Sequence, residues 1–517
     1  MLRLLLDRKK AGQSSRLFDA VQAEAMDIHI TKTPEARSGL NPWTLAELPP
    51  APRPRGLGWF SAIGPGVIVL GASIGSGEFL LGPAAFVKYG LSLLWVVGVA
   101  ALLQTLLNVE LMRYTMATGE PVFTGFMRTP PHSTFWAWFY SLLYFLQMGW
   151  PGWAGAAAGA VFFLFAKRLP GPNDAGLVYG IGVGLFLMCG MILLVGRRIE
   201  RTLEYLNWIL VVLIIGGMGS LALFFVPAST WGGALAGFIG FDMRSGSFQL
   251  IPAGADFFLL GAFAAYAGAG GVINLTLSNW ARDKGYGMSG AVGYIPAAVG
   301  GKKVALAHSG STFQPTASAL DRWKGWWRIV RVDQWGVYFT GAILGMVLPA
   351  LLYVTFIPKG SDIRGLGIAA ALAQAVATQK GAIFGGIIAI LGVWILFKTQ
   401  LDILEGMTRA ITDILWTGSK RIRAWRGGDV RVVYYGVLIV VSLWGILALR
   451  LTQPIRLLAL SANMAGIVFI ISSLHLLYVN TRLLPLELRP PMWRRFALVA
   501  LALFYGLFLM LWLWSLL

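Results

Sequence analysis

The first group able to do chemistry in this chain is a carboxylate in an apolar setting. Glu78 closes the stretch Gly64-Pro-Gly-Val-Ile-Val-Leu-Gly-Ala-Ser-Ile-Gly-Ser-Gly-Glu-Phe79, inside a largely apolar run from Trp59 to Val99. Gly71, Gly75 and Gly77 weaken a helix there, and the backbone groups so freed need partners. Membrane interiors tolerate that combination where it faces protein or water and not where it faces lipid. The stretch therefore reads as a broken transmembrane helix with a cation site at the break. Glu78 supplies an anionic oxygen, and Ser73, Ser76 and the Gly75 carbonyl supply neutral ones. An all-oxygen set suits a hard, partly hydrated ion such as Mg²⁺ or Mn²⁺. The plainer alternative is a helix-end carboxylate paired with a basic residue.

A second polar group, Lys398, Gln400, Asp402 and Glu405, stands near the end of a later apolar run. It can form a gate or supply a charge that replaces a coupling ion. The favoured reading is a helix reaching the interface, with Lys398 snorkelling. Asp256 opens another span and complements its positive end, and Glu110 with Arg113 has the (i, i+3) spacing of an ion pair. No Ser-His-Asp set, no phosphate-binding glycine loop with lysine and no cysteine pair is present: Cys189 is the single cysteine. The four histidines are scattered, which argues against a zinc cluster, and no cofactor is expected.

The elements that must hold these residues are membrane helices. Of 517 residues, 57% are hydrophobic and 13% charged, and mean hydropathy is +0.69. Eleven apolar runs reach the roughly 20 residues needed to cross a bilayer: about 60–88, 91–116, 134–166, 176–196, 203–226, 254–280, 335–357, 380–400, 432–450, 454–478 and 493–516. The net charge of +19 sits in the short loops between them, so nucleic acid is a poor partner and the lipid bilayer a good one. Lys and Arg crowd the loops after the fourth, sixth, eighth and tenth spans, which places the amino terminus inside. Residues 1–58 read as a largely disordered cytoplasmic tail, with Met26 a possible alternative start, and residues 59–517 as the transmembrane domain. The basic stretch 281–334, with Trp323, Trp326 and Trp327, reads as a cytoplasmic loop lying on an anionic leaflet.

Span six carries a second weak point, Gly261-Ala-Phe-Ala-Ala-Tyr-Ala-Gly-Ala-Gly-Gly271. Interruptions in spans one and six, five apart, point to two inverted five-helix halves with a site where the broken helices meet. Close helix packing through small residues is the competing explanation.

Here the chain resembles the Nramp divalent-metal transporters, of the LeuT-like fold, over most of residues 60 to 480. Gly64-Pro65-Gly66 is similar to that family's opening of its first helix. Arg113 with Thr118-Gly119, Gly196-Arg197-Arg198-Ile199-Glu200 and Glu405-Gly406 resemble further family marks. The resemblance implies an all-α integral membrane protein with about 11 helices in a 5+5 inverted repeat, helices 1 and 6 broken. It also implies a secondary transporter moving divalent cations of the Mn²⁺/Mg²⁺/Fe²⁺ class by alternating access. The family's Asp-Pro-Gly-Asn falls on Gly75-Ser76-Gly77-Glu78, and its Met-Pro-His on Ala265-Tyr266-Ala267. The carbonyls of Ala265 and Tyr266 thereby join the candidate ligands, and Asn463 stands near a family Gln. The metal-binding Asp, the methionine that favours softer metals and the proton-pathway His are all absent. A carrier of an organic or zwitterionic solute, its pocket enlarged at Gly75 and lined by Tyr266, is the second expectation. A non-transporting, receptor-like homologue is the third. A bacterial inner membrane and a monomer are compatible with the sequence.

Overall fold

A computed structural model describes residues 38–517 apart from 76, 195–198, 296–308, 362, 364 and 366. The expectations for residues 1–37, for the Met26 start and for Ser76 lie outside the described residues.

The chain traverses a helical bundle. Helix 1 of the bundle comprises α1 (Pro65–Ile74), a π turn over Gly77–Leu81, and α2 (Gly82–Tyr89). Next come α3 (Leu94–Thr118), the short α4 (Val122–Met127), α5 (Ser133–Met148) and α6 (Gly152–Ala166). The third span thus bends at Gly149–Pro151, because Pro151 has no N–H to continue the ladder. α7 (Ala175–Ile192) and α8 (Ile199–Phe225) complete the first half, followed by α9 (Ala228–Gly237) and a small hairpin, Phe241–Asp242 on Ser247–Phe248. Span six is α10 (Phe257–Ala265) and α11 (Val272–Lys284). α12 (Ala317–Arg331) continues through a π turn over Val332–Phe339 into α13 (Thr340–Phe356). Then follow α14 (Ile368–Lys380), α15 (Ala382–Gly418), α16 (Val430–Ala448), α17 (Pro454–Arg482) and α18 (Met492–Trp514).

Ten helices among the described residues are long and apolar enough to cross a membrane. The sixth expected span does not count among them because its break leaves two halves, each too short alone. The protein is a multi-pass integral membrane protein.

Three expectations change. Residues 38–58 were expected to be disordered, yet they form a strap across one end of the bundle. Thr44–Leu45 pairs in parallel with Ser311–Thr312, Leu48 is buried, and Trp326 Nε1 donates to the Pro49 carbonyl at 2.9 Å. Beneath the strap, Glu120 accepts from Arg128 Nε (2.8 Å), Tyr114 OH (2.6 Å) and Gly310 N (2.7 Å). Arg128 also donates to the Asn41 carbonyl at 2.9 Å and lies 5.2 Å from the Trp43 ring centroid. Burial alone would raise the Glu120 carboxyl, but the Arg128 charge and these hydrogen bonds hold it below its ordinary value.

The second change concerns the basic loop. Trp323 and Trp326 are buried in protein, not laid on lipid, and Trp327 carries Arg113 and Arg494 over its ring at 4.7 and 5.0 Å. The third is the length of α15. It runs on to Gly418, so Lys398, Gln400 and Asp402 lie mid-helix and buried. Lys398 does not snorkel.

The end bearing the strap is termed the near end below, and the opposite one the far end. Asp333 ties the start of helix 1 to the π turn between α12 and α13 by accepting from Gly64 N (3.0 Å) and Gly66 N (2.9 Å).

Candidate functional site

The two broken helices meet backbone to backbone. A Cβ at Gly77 would overlap the Tyr266 carbonyl oxygen, so only glycine allows this approach. Residues 266–271 are unwound, with positive φ at Gly268, Gly270 and Gly271 (140°, 80° and 58°).

The groups freed by that unwinding are taken up by side chains from three other spans. Gln147 donates to the Gly270 carbonyl (2.8 Å) and accepts from Val272 N (3.0 Å). Tyr338 accepts from Ala269 N (3.1 Å) and donates to Gln104 Oε1 (3.1 Å). Gln104 Oε1 also accepts from Gly270 N (3.4 Å), while its amide donates to the Tyr505 hydroxyl (2.8 Å). The break is thus held open by a polar frame, as a low-dielectric interior requires.

Glu78 lies in the π turn of helix 1 and is fully buried. Ser73 Oγ donates to its Oε1, and Oε2 has no hydrogen-bond partner among the described residues. An unsatisfied buried carboxylate oxygen is costly and marks a place where a ligand or proton belongs. Gly345 of α13 packs against the Glu78 side chain.

The other expected residues divide. Tyr266 offers its carbonyl to the break, but its phenol turns away to Ser461 Oγ at 2.5 Å. Asn463 donates to the carbonyls of Phe258 (3.0 Å) and Ala459 (2.9 Å) and sits beside Gly261, over a turn from the unwound segment. Gln400 faces α6, accepting from Ala154 N at 3.2 Å. Lys398 and Asp402 face the opposite way. The Lys398 ammonium bonds Asn207 Oδ1 at 2.7 Å and Asp402 at 3.2 Å, and Asn207 donates to Asp402 at 3.0 Å. A Cβ at Gly71 would run into that ammonium, so the cluster presses on helix 1 two residues before Ser73.

Toward the near end the bundle is closed by charge. Arg409 bonds Glu405 and Asp283, Arg282 bonds Asp413 at 2.6 Å, and Lys284 bonds Glu204 at 2.5 Å. Glu110 and Arg113 pair at 2.7 Å, as their spacing predicts.

The comparisons with known proteins can be set beside this geometry. No protein-family model matches the chain. An uncharacterised protein of Pasteurella multocida (strain Pm70) is 25% identical over 191 residues, covering 35% of this chain and 42% of that relative. The match therefore spans less than half of the relative's length. Two solved structures of the Eremococcus coleocola manganese transporter are similar throughout. The one in complex with an aromatic bis-isothiourea substituted compound has a TM-score of 0.59 at 16% identity, covering 88% of each chain. A mutant form has a TM-score of 0.61 at 15% identity, covering 91% of this chain and 89% of that one. The fold is Nramp-related.

Gly75, the position on which the sequence resemblance places an acidic ligand, is closed to a side chain. A Cβ at Gly75 would collide with Thr399 Oγ1 and approach the Ile395 carbonyl at 3.0 Å. The donor set consists of Glu78, the Ser73 hydroxyl and nearby carbonyls. Among the described residues, no group of three or more His, Cys, Asp or Glu is placed to hold a metal. The sequence reading did not pick out Gln104, Gln147, Tyr338, Thr399 and Asn207. The signal available was that each is a polar residue inside an apolar span.

Proposed function

We propose that this protein is a secondary transporter that moves a hard divalent cation across the membrane by alternating access. Glu78 is the charged ligand at the break of helix 1, and the Ser73 hydroxyl and the Tyr266 carbonyl are neutral donors. The observation that carries this reading is the unpartnered Oε2 of a fully buried Glu78, beside the contact of the two broken helices. In this proposal Mg²⁺ and Mn²⁺ are the favoured cargo, since the proposed ligands Glu78, Ser73 and the Tyr266 carbonyl all offer oxygen. On the same proposal the Lys398 ammonium, balanced by Asp402, is a built-in cation against helix 1 that takes the place of a second bound ion. The near end faces the cytoplasm of a bacterial plasma membrane in this reading, because the strap end carries the basic loops.

The test is uptake into proteoliposomes by wild type and Glu78→Gln, with Mg²⁺, Mn²⁺, Ca²⁺ and Fe²⁺ offered separately and an internal pH dye. Saturable uptake reduced at least tenfold by the substitution is the expected result. If folded wild-type protein moves none of the four ions, the metal reading fails and organic solutes become the substrates to screen. An enlarged pocket at Gly75 has no support in this conformation, since Thr399 fills the space.

A further inference from the structure

At the far end, at the end of α2 remote from the break in helix 1, the bundle holds a cavity of about 370 Å³. Its floor is apolar, with Phe86 of α2 and Ile357 just beyond α13. Its rim carries Arg244 and Lys359, neither of which has an ion-pair partner among the described residues. Lys359 leans inward, its Nζ lying 3.8 Å from where a Cβ on Gly90 would be. Ser92, 2% exposed, also lines the cavity, and its hydroxyl has no hydrogen-bond partner among the described residues. Asp242 is the one carboxylate on the rim among the described residues, and its Oδ1 accepts from Arg244 N at 2.9 Å to close the hairpin turn.

Two cations, a spare hydroxyl and an apolar floor select an anion with an apolar body. The surroundings say which one. α9 and the hairpin beside the cavity expose Leu235 (74%), Ile239 (63%) and Met243 (56%), side chains suited to acyl chains and not to water. We propose that this cavity binds the headgroup of an anionic phospholipid. The phosphate lies between Arg244 and Lys359, Ser92 donates to it, and the acyl chains run over the apolar face of α9. Because the cavity joins α2 to the end of α13, the bound lipid holds the far half of helix 1 against its neighbours. The site is independent of what the protein transports.

The experiment uses full-length protein purified in detergent, equilibrated with equal amounts of phosphatidylglycerol and phosphatidylcholine, with retained lipid read by native mass spectrometry. Wild type is expected to retain phosphatidylglycerol at least tenfold over phosphatidylcholine. The double variant Arg244→Gln/Lys359→Gln is expected to lose that preference. Thr230→Trp, which fills the cavity without touching its charges, should lose bound lipid altogether. Each variant should elute as a single, wild-type-sized species on gel filtration with unchanged helical circular dichroism, which separates lipid loss from misfolding. Equal retention of the two lipids by wild type overturns the proposal, as does unchanged phosphatidylglycerol preference in both folded variants. A third arm adds glycerol 3-phosphate at the same concentration as lipid. Displacement of the lipid by this chain-free anion would show a small-anion site and overturn the lipid assignment.

Discussion

Gly75 shows how a single position can be read in two ways. The resemblance to divalent-metal carriers leads one to expect a carboxylate there, which invites the idea of introducing one. The packing says otherwise, because Thr399 and the Ile395 carbonyl already occupy the space a side chain would need. Gly75→Asp is therefore expected to lower the yield of folded protein without tightening divalent-ion binding, as checked by calorimetric titration. Pairing it with Thr399→Gly should recover yield. A second residue-scale expectation concerns Gln147, whose amide serves both a carbonyl and an N–H of the unwound segment. Gln147→Leu strands both groups at a cost of about 1–3 kcal/mol each. Unfolding in mild denaturant should show that loss, and hydrogen exchange should rise first around residues 266–272. Glu78 was legible in the sequence because a lone carboxylate among glycines in an apolar run has few structural uses. Gln104, Gln147 and Tyr338 were not legible, because each gains its meaning from a partner on another span.

For whole elements, the spans themselves could be read from apolar length alone, and both interruptions from clustered glycine. What apolar length could not give was where a helix stops once it leaves the lipid. α15 continues to Gly418, and that extension moves Lys398 from an expected interfacial position into the bundle. Its pairing with Asp402 then becomes an energetic necessity. Removing one partner of such a buried pair costs about 3–5 kcal/mol, while replacing both is far milder. Lys398→Met or Asp402→Asn alone should lower the thermal midpoint markedly. The double variant Lys398→Met/Asp402→Asn is expected to recover most of the loss. If the double variant is as unstable as the sum of the singles, the two groups act independently and the cluster is not a unit.

Across the whole molecule, the strap and the loop it grips behave as one closure of the near end. Glu120 is its electrostatic centre, held below the ordinary carboxylate value of 4.5 by Arg128 and its hydrogen bonds despite burial. A depressed carboxylate contributes its full stabilisation above that ordinary value and loses it as pH falls through the lower folded value. Stability of the strap should therefore be flat at neutral pH and decline below about pH 4, followed by tryptophan fluorescence. Arg128→Met should make the closure unstable even at pH 7, by about 3–5 kcal/mol, because it leaves a buried carboxylate without its counter-charge. The sequence offered little warning of this arrangement. Residues 38–58 are polar and proline-rich, which is the composition of a tail, and their order comes from two short strands and a few aromatic contacts with distant segments.

The Thr44–Ser311 contact joins positions separated by 267 residues. A ribosome adding about 5–20 residues per second needs roughly 13–53 s to cover that interval. Throughout that time the strap has no strand to pair with, while six spans are being synthesised. The amino-terminal segment is thus available to cellular factors early in biogenesis and withdrawn from them once the sixth span and the following loop emerge.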